Sequence, residues 1–135
     1  LSASATGLLD TSVFIAHESG RPLGDLPNQV AVSVVSIGEL QLGVLAAIDD
    51  ISRARRADTL ALARAADPIP ISEAVMTTWA RIVADCRNAG IQRTVKLTDT
   101  LIAATAVEHG LSVVTQDDDY RQMAEAHPVL SIVLV

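Results

Sequence analysis

Aromatic residues are almost missing from this chain: Phe14, Trp79 and Tyr120 are the only three in 135 residues. The core must therefore be aliphatic, and a surface of aromatic platforms for stacking single-stranded bases is excluded. Cysteine occurs once, as Cys86, so no internal disulfide can form; this fits a reducing cytosol and an expected cytoplasmic location. No apolar run approaches the roughly 18 residues needed to cross a bilayer. The stretch Leu1 to Gly7 has neither the basic start nor the apolar segment of a signal peptide. Residues 1–6 are expected to be flexible or foreign to the natural chain. Basic residues are also in deficit, with 10 Lys and Arg against 16 Asp and Glu and a net charge of −6. That balance argues against a passive nucleic-acid binder. It leaves a nuclease open, because carboxylates that hold metal count as negative in the sequence and are neutralised once loaded.

What the chain does have is apolar content: 50% of residues are hydrophobic, which rules out disorder, and the length suits one domain spanning 1–135. Gly7-Leu8-Leu9 reads as a short buried strand ending at Asp10, after which Thr11 or Ser12 can cap a helix through Ala16. A Pro- and Gly-containing loop from Gly20 to Pro27 leads to a second strand over Gln29 to Val34. Ser36-Ile-Gly-Glu39 matches a capping box and is expected to open a helix carrying Leu40, Val44 and Leu45. Asp49 and Asp50 start another, with Leu60, Leu62 and Ala65. Asp67 to Pro70 breaks it and allows a short strand. Ser72-Glu73 starts a long helix with Val75, Trp79, Ile82 and Val83, closed at Gly90. Thr98-Asp99 opens a further helix that ends at His109-Gly110. A strand over Leu111 to Thr115, a short helix over Asp117 to Ala126 and a strand over Ser131 to Val135 complete the pattern. Alternating strands and helices favour an α/β fold with a central parallel sheet flanked by helices.

In an open parallel sheet, ligands bind beyond the carboxyl ends of the strands. Asp10, Glu39 and Asp117 are all expected at that edge, and the Asp99 helix is allowed to bring its N-terminus there. Each acid alone has a plainer reading. Glu39 can be the reciprocal partner of Ser36 in a cap, Asp99 suits a helix N-terminus, and Asp118 can complete a cap begun by Thr115. Together, four carboxylates at one crevice repel unless a cation is bound. Hard oxygen ligands without a His or Cys cluster suit Mg²⁺ or Mn²⁺.

Four stretches resemble PIN-domain nucleases: Leu8-Leu-Asp-Thr-Ser-Val13, Ser36-Ile-Gly-Glu-Leu40 with Gly43, Lys96-Leu-Thr-Asp-Thr-Leu-Ile-Ala-Ala-Thr-Ala106, and Val113-Val-Thr-Gln-Asp-Asp-Asp-Tyr120. Within that family the chain looks like the VapC-type toxin of a bacterial type II toxin–antitoxin pair. The resemblance implies a PIN-like three-layer sandwich and a Mg²⁺-dependent endoribonuclease, with Mn²⁺ able to substitute. It also implies an RNA substrate, products ending in 5′-phosphate and 3′-hydroxyl, a cognate antitoxin and a homodimer, with higher toxin–antitoxin assemblies open. Asp10, Glu39, Asp99 and Asp117 take the family's acidic positions as catalytic residues, Asp10, Asp99 and Asp117 as metal ligands. Thr11, Ser12 and Thr115 are expected to orient a carboxylate or a metal-bound water, or to cap helices. Asp119 competes with Asp117 for the fourth place or else stands behind it. Relatives often carry Arg then Asn where this chain has Gln116 and Asp117, and usually Phe where it has Tyr120, read as a packing residue.

Other features read more simply. Arg53, Arg55 and Arg56 are expected to be a solvated helix face, and Arg93 and Lys96 better candidates for phosphate contact. His17, His109 and His127 show no ligand spacing. Cys86 reads as buried and inert, Trp79 as core or dimer interface. Two rival functions are a catalytically silent PIN-like interaction module and a phosphotransfer or receiver domain; for the latter, the acidic pair wanted before the first helix is absent because Leu9 precedes Asp10.

Overall fold

The computed structural model describes residues 6–135, and the expected lead-in lies outside them except for Thr6, which begins the first strand. The elements run β1 (Thr6–Leu9), α1 (Thr11–Glu18), β2 (Gln29–Val32), α2 (Val34–Ala46), α3 (Asp50–Arg64), α4 (Glu73–Asn88), α5 (Leu97–Glu108), β3 (Ser112–Thr115), α6 (Tyr120–Ala126) and β4 (Ile132–Leu134). The four strands are all parallel, in the order β2-β1-β3-β4. Among the described residues no helix is long and apolar enough to cross a membrane.

Successive strand residues point to opposite faces, and the sequence places apolar residues at both. Leu8 and Val113, paired in register, join a core with Val75 and Ile82 of α4, Ile102 to Ala104 of α5, and Tyr120 and Met123 of α6. Their neighbours Leu9 and Val114 face the other way, packing with Val13 and Phe14 of α1, Val32, Leu40 of α2, and Leu60 and Ala63 of α3. The result is the expected three layers, helix, sheet, helix. α5 is the innermost helix: Ile102, Ala103, Ala104, Thr105 and Ala106 are all fully buried. The small side chains let α4 and the sheet approach closely, and the Thr105 hydroxyl is satisfied by the Leu101 carbonyl at 2.8 Å. Thus much of the Ile-Ala-Ala-Thr-Ala stretch is a packing requirement.

Several expected boundaries move. α1 is capped by Asp10, whose carboxylate accepts from the Ser12 amide, not by Thr11 or Ser12. α2 starts one turn earlier than the Ser36–Glu39 pattern predicts, capped by Ser33. Its outer face leaves Leu45 72% exposed, and Leu62 of α3 likewise points outward at 53%. α5 starts at Leu97, with Asp99 third in the helix and no side-chain cap. α6 starts at Tyr120 rather than Asp117, also uncapped by a side chain, so neither Thr115 nor Asp118 caps it. The short strand expected near Pro70 is a single bridge between Ser33 and Ile69. As expected, Gly90 closes α4 with a positive φ of 75°.

Candidate active site

β1 leads through α1 to β2 on one side, whereas β3 leads through α6 to β4 on the other, so the chain reverses direction between β1 and β3. That is where the crevice of an open parallel sheet forms. Asp10 immediately follows β1, and Gln116 and Asp117 follow β3. α5 brings Asp99 to the same place by its N-terminal turn, and α2 brings Glu39 from one turn inside its helix.

Asp10 is only 3% exposed. Its Oδ2 accepts from the Thr115 hydroxyl at 3.0 Å and the Ser12 amide at 3.3 Å, and its Oδ1 accepts from the Tyr120 hydroxyl at 2.8 Å. The Thr115 proton is therefore committed to Asp10, so in the 3.2 Å contact between Ser12 Oγ and Thr115 Oγ1 the serine donates. The Asp117 amide donates to Thr115 Oγ1 at 2.9 Å and the Gln116 amide to Ser12 Oγ at 3.1 Å. This network ties the end of β3 to the start of α1. Thr11 Oγ1 lies 2.6 Å from Glu39 Oε1 and 2.8 Å from Ser36 Oγ. Its one proton cannot serve both acceptors at once, and the carboxylate is the stronger of the two. Glu39 therefore does not close a capping box with Ser36; its carboxylate is held at the crevice by Thr11.

The acids feel one another. Burial, then the Asp10 charge, raise the Asp99 carboxyl to about 6, with Glu39 adding to the rise and Lys96 opposing it. Asp117 is raised by burial, then by Asp10 and Asp119, against Lys96 and Arg21. Tyr120 is fully buried, and burial followed by the charges of Asp10 and Asp99 lifts its hydroxyl well above the usual tyrosine range. Among the described residues, none of the salt bridges involves Asp10, Glu39, Asp99 or Asp117. Carboxylates buried together without a basic partner are the donor set that a hard divalent cation neutralises. In this conformation no three His, Cys, Asp or Glu side chains among the described residues stand close enough to hold one ion together. The Tyr120 hydroxyl instead sits between the two most buried acids. The chemistry of the donors fits a divalent ion, and their spacing is looser than a closed ligand cage.

A family model described as the PIN domain matches residues 7–126. The chain belongs to the PIN-domain family. It is 71% identical over 100 residues to ribonuclease VapC8 of Mycobacterium tuberculosis, covering 74% of this chain and 89% of that protein. Ribonuclease VapC5 of the same species is 42% identical over 127 residues, covering 93% of each chain. The crystal structure of VapBC-5 from that species, a toxin–antitoxin system, superposes with a TM-score of 0.84 at 36% identity, over 97% of this chain and 99% of its own. VapBC2 of Rickettsia felis, at 18% identity and a TM-score of 0.77 over 96% of this chain and 98% of its own, shares the fold. This PIN domain is thus of the VapC type, and the receiver-domain reading is set aside.

The structure brings Asp99 within the field of Asp10 and Glu39, and Asp117 within that of Asp10, with Thr11 bonded to Glu39 and Ser12 and Thr115 bonded to Asp10. Asp119 is exposed at the start of α6, whereas Asp117 is half-buried and within the field of Asp10. Sequence reasoning missed two participants. Tyr120, read as packing alone, bonds Asp10 and also donates toward Asp99 Oδ1 at 3.3 Å. Arg21, on the loop after α1, acts electrostatically on Asp117. A buried tyrosine hydroxyl needs a partner, which was the available signal. Gln116, where relatives often have Arg, points away: its side-chain amide donates to the carbonyls of Pro22 and Val135. Arg53 and Arg56 are anchored to the Ala47 and Gly43 carbonyls, as a structural helix face. Trp79 donates to Thr100 at 3.0 Å from a half-buried position, and Cys86 is buried as expected. His127, which shows no ligand spacing in the sequence, pairs with Asp85 at 2.7 Å between α6 and α4.

Proposed function

We propose that this VapC-type PIN domain is the toxin of a VapBC pair, a divalent-metal-dependent endoribonuclease silenced by its cognate antitoxin. The observation that carries the reading is the convergence of Asp10, Glu39, Asp99 and Asp117, buried or half-buried without basic partners, at the switch point of the sheet. The names of the relatives, ribonucleases and members of toxin–antitoxin systems, support it independently.

Asp10, Asp99 and Asp117 would hold the ion, with Mg²⁺ as the expected cofactor and Mn²⁺ able to replace it. A bound divalent ion supplies positive charge against the scissile phosphate and acidifies a water. Thr115, Ser12 and Tyr120 fix the Asp10 carboxylate. Thr11 holds Oε1 of Glu39, leaving Oε2 as ligand or as the acceptor that orients the attacking water. Asp119, exposed beside Asp117, adds negative charge behind it. Lys96 and Arg21, both exposed at the rim, offer cations for the RNA backbone. In-line attack leaves a 5′-phosphate and a 3′-hydroxyl. The proposed assembly is a cytoplasmic homodimer that joins the antitoxin in a larger complex.

The test is RNA cleavage with Mn²⁺ by the wild type and by Asp10→Asn, both checked for folding. Cleavage by the wild type alone is expected; equal cutting by both, or by neither, would sink the assignment and in the second case favour a silent interaction module. Expression of the chain alone is expected to arrest growth, with relief on co-expression of the antitoxin. Unimpaired growth with confirmed soluble protein argues against the toxin role. Mapping RNA ends after brief induction names the substrate.

A further inference from the structure

Tyr120 is fully buried, and its ring packs in the core with Leu8, Ile102 and Met123. A phenylalanine would satisfy that packing. The hydroxyl is therefore surplus to the core and must be explained by what it bonds: Asp10 Oδ1 at 2.8 Å and Asp99 Oδ1 at 3.3 Å. Counting acceptor positions sharpens this. An ionised carboxylate offers about four, two on each oxygen. On Asp10, Oδ2 already receives both the Thr115 hydroxyl and the Ser12 amide, so its capacity is used. The one position left is on Oδ1, the oxygen that Tyr120 holds. Asp99 has no other hydrogen-bond donor among the described residues than Tyr120. The single phenolic proton is shared between two carboxylates from different elements, chiefly with Asp10 after β1 and more weakly with Asp99 on α5, and among the described residues no other side chain does so.

We propose that Tyr120 is a positioning residue for divalent-metal binding, its hydroxyl aligning the remaining acceptor position of Asp10 with the carboxylate of Asp99. It rests on the reading of Asp10 and Asp99 as metal ligands. Tyr120 is not itself a ligand; it donates, and so sets the direction in which Asp10 Oδ1 can accept anything else. Partners that orient metal-binding groups in this way are worth about ten- to hundredfold in metal affinity.

The experiment is calorimetric titration of Mn²⁺ into chelator-stripped wild type and Tyr120→Phe, with melting curves in EDTA. The variant is expected to melt cooperatively near the wild-type temperature, to bind Mn²⁺ about ten- to hundredfold more weakly, and to recover RNA cleavage as Mn²⁺ is raised. Melting in EDTA separates positioning from a packing defect, because bound metal would itself stabilise a loosened fold. Equal or tighter Mn²⁺ binding by Tyr120→Phe overturns the role of the hydroxyl while leaving the ligand assignment intact. Absence of Mn²⁺ binding by the wild type overturns the ligand assignment itself.

Discussion

Asp99 is 8% exposed, and its carboxyl holds a proton up to about pH 6 because burial and then Asp10 disfavour the charged form. An unfolded aspartate releases its proton near pH 4. Between those values the folded chain holds more protons than the unfolded chain, so stability falls as pH rises through that window. Asp99→Asn keeps an acceptor for Tyr120 and removes the charge. In EDTA the variant is expected to melt above the wild type at pH 7, with the gap closing toward pH 4. Added Mn²⁺ should reverse the ranking at pH 7, since only the wild type binds it, and the wild-type gain should shrink below pH 6 as protons compete. Thermal melts across pH 4 to 8 with and without Mn²⁺ check both parts; a gap that stays constant with pH would refute the electrostatic account.

At the scale of elements, Ser33 and Ser36 show how a helix start can be misread. Both precede apolar residues, and Ser36 has a glutamate three positions on, the pattern of a reciprocal cap. Ser33 is the actual cap, bonding the Val35 amide at 3.0 Å, while Ser36 is fully buried one turn inside and contacts Thr11. Ser33→Ala is expected to cost about 1 kcal/mol, read as a lower midpoint in urea with the slope unchanged. Ser36→Ala should leave the cap intact and show its effect through Thr11 and Glu39, as reduced cleavage. If Ser36→Ala proved the more destabilising with activity retained, these assignments would be reversed. Element order, the parallel sheet and the long α4 were legible because apolar runs and caps are local signals. The first turns of α2, α5 and α6 were not: α2 offers two competing serines, and α5 and α6 start without a side-chain cap. Asp99 was legible as a helix-start acid, but its partnership with Asp10 and Tyr120 depends on how α5 crosses the sheet, which no local pattern encodes. Asp117 and Asp119 likewise differ in how far the β3–α6 turn buries them, which no local pattern encodes.

At the scale of the whole molecule, β1 is central: like β3 it packs against both helical layers, and it delivers Asp10. Gly7 lies within it, paired with Val30 on one side and Ser112 on the other. A Cβ there would come within 2.5 Å of Val114 Cγ2 and 2.7 Å of Pro27 Cγ, well inside van der Waals contact. Val114 is itself fully buried in the α1–α3 layer and cannot swing into solvent. Relief must come from displacing β1 relative to β3 or from pushing back the loop that carries Pro27. Overpacking of this kind costs about 1–3 kcal/mol. The Asp10 amide donates to the Val114 carbonyl at 2.8 Å, so a shift between these strands moves Asp10 against Thr115 as well. Gly7→Ala is therefore expected to lower the melting temperature in EDTA and also to weaken Mn²⁺ binding, although its methyl touches no acid. A cap substitution of comparable cost on another element, such as Ser72→Ala at the exposed start of α4, should lower stability by about 1 kcal/mol without the same loss of Mn²⁺ affinity. Should both variants lose affinity in proportion to stability, the site would be responding to global loosening rather than to the β1–β3 register.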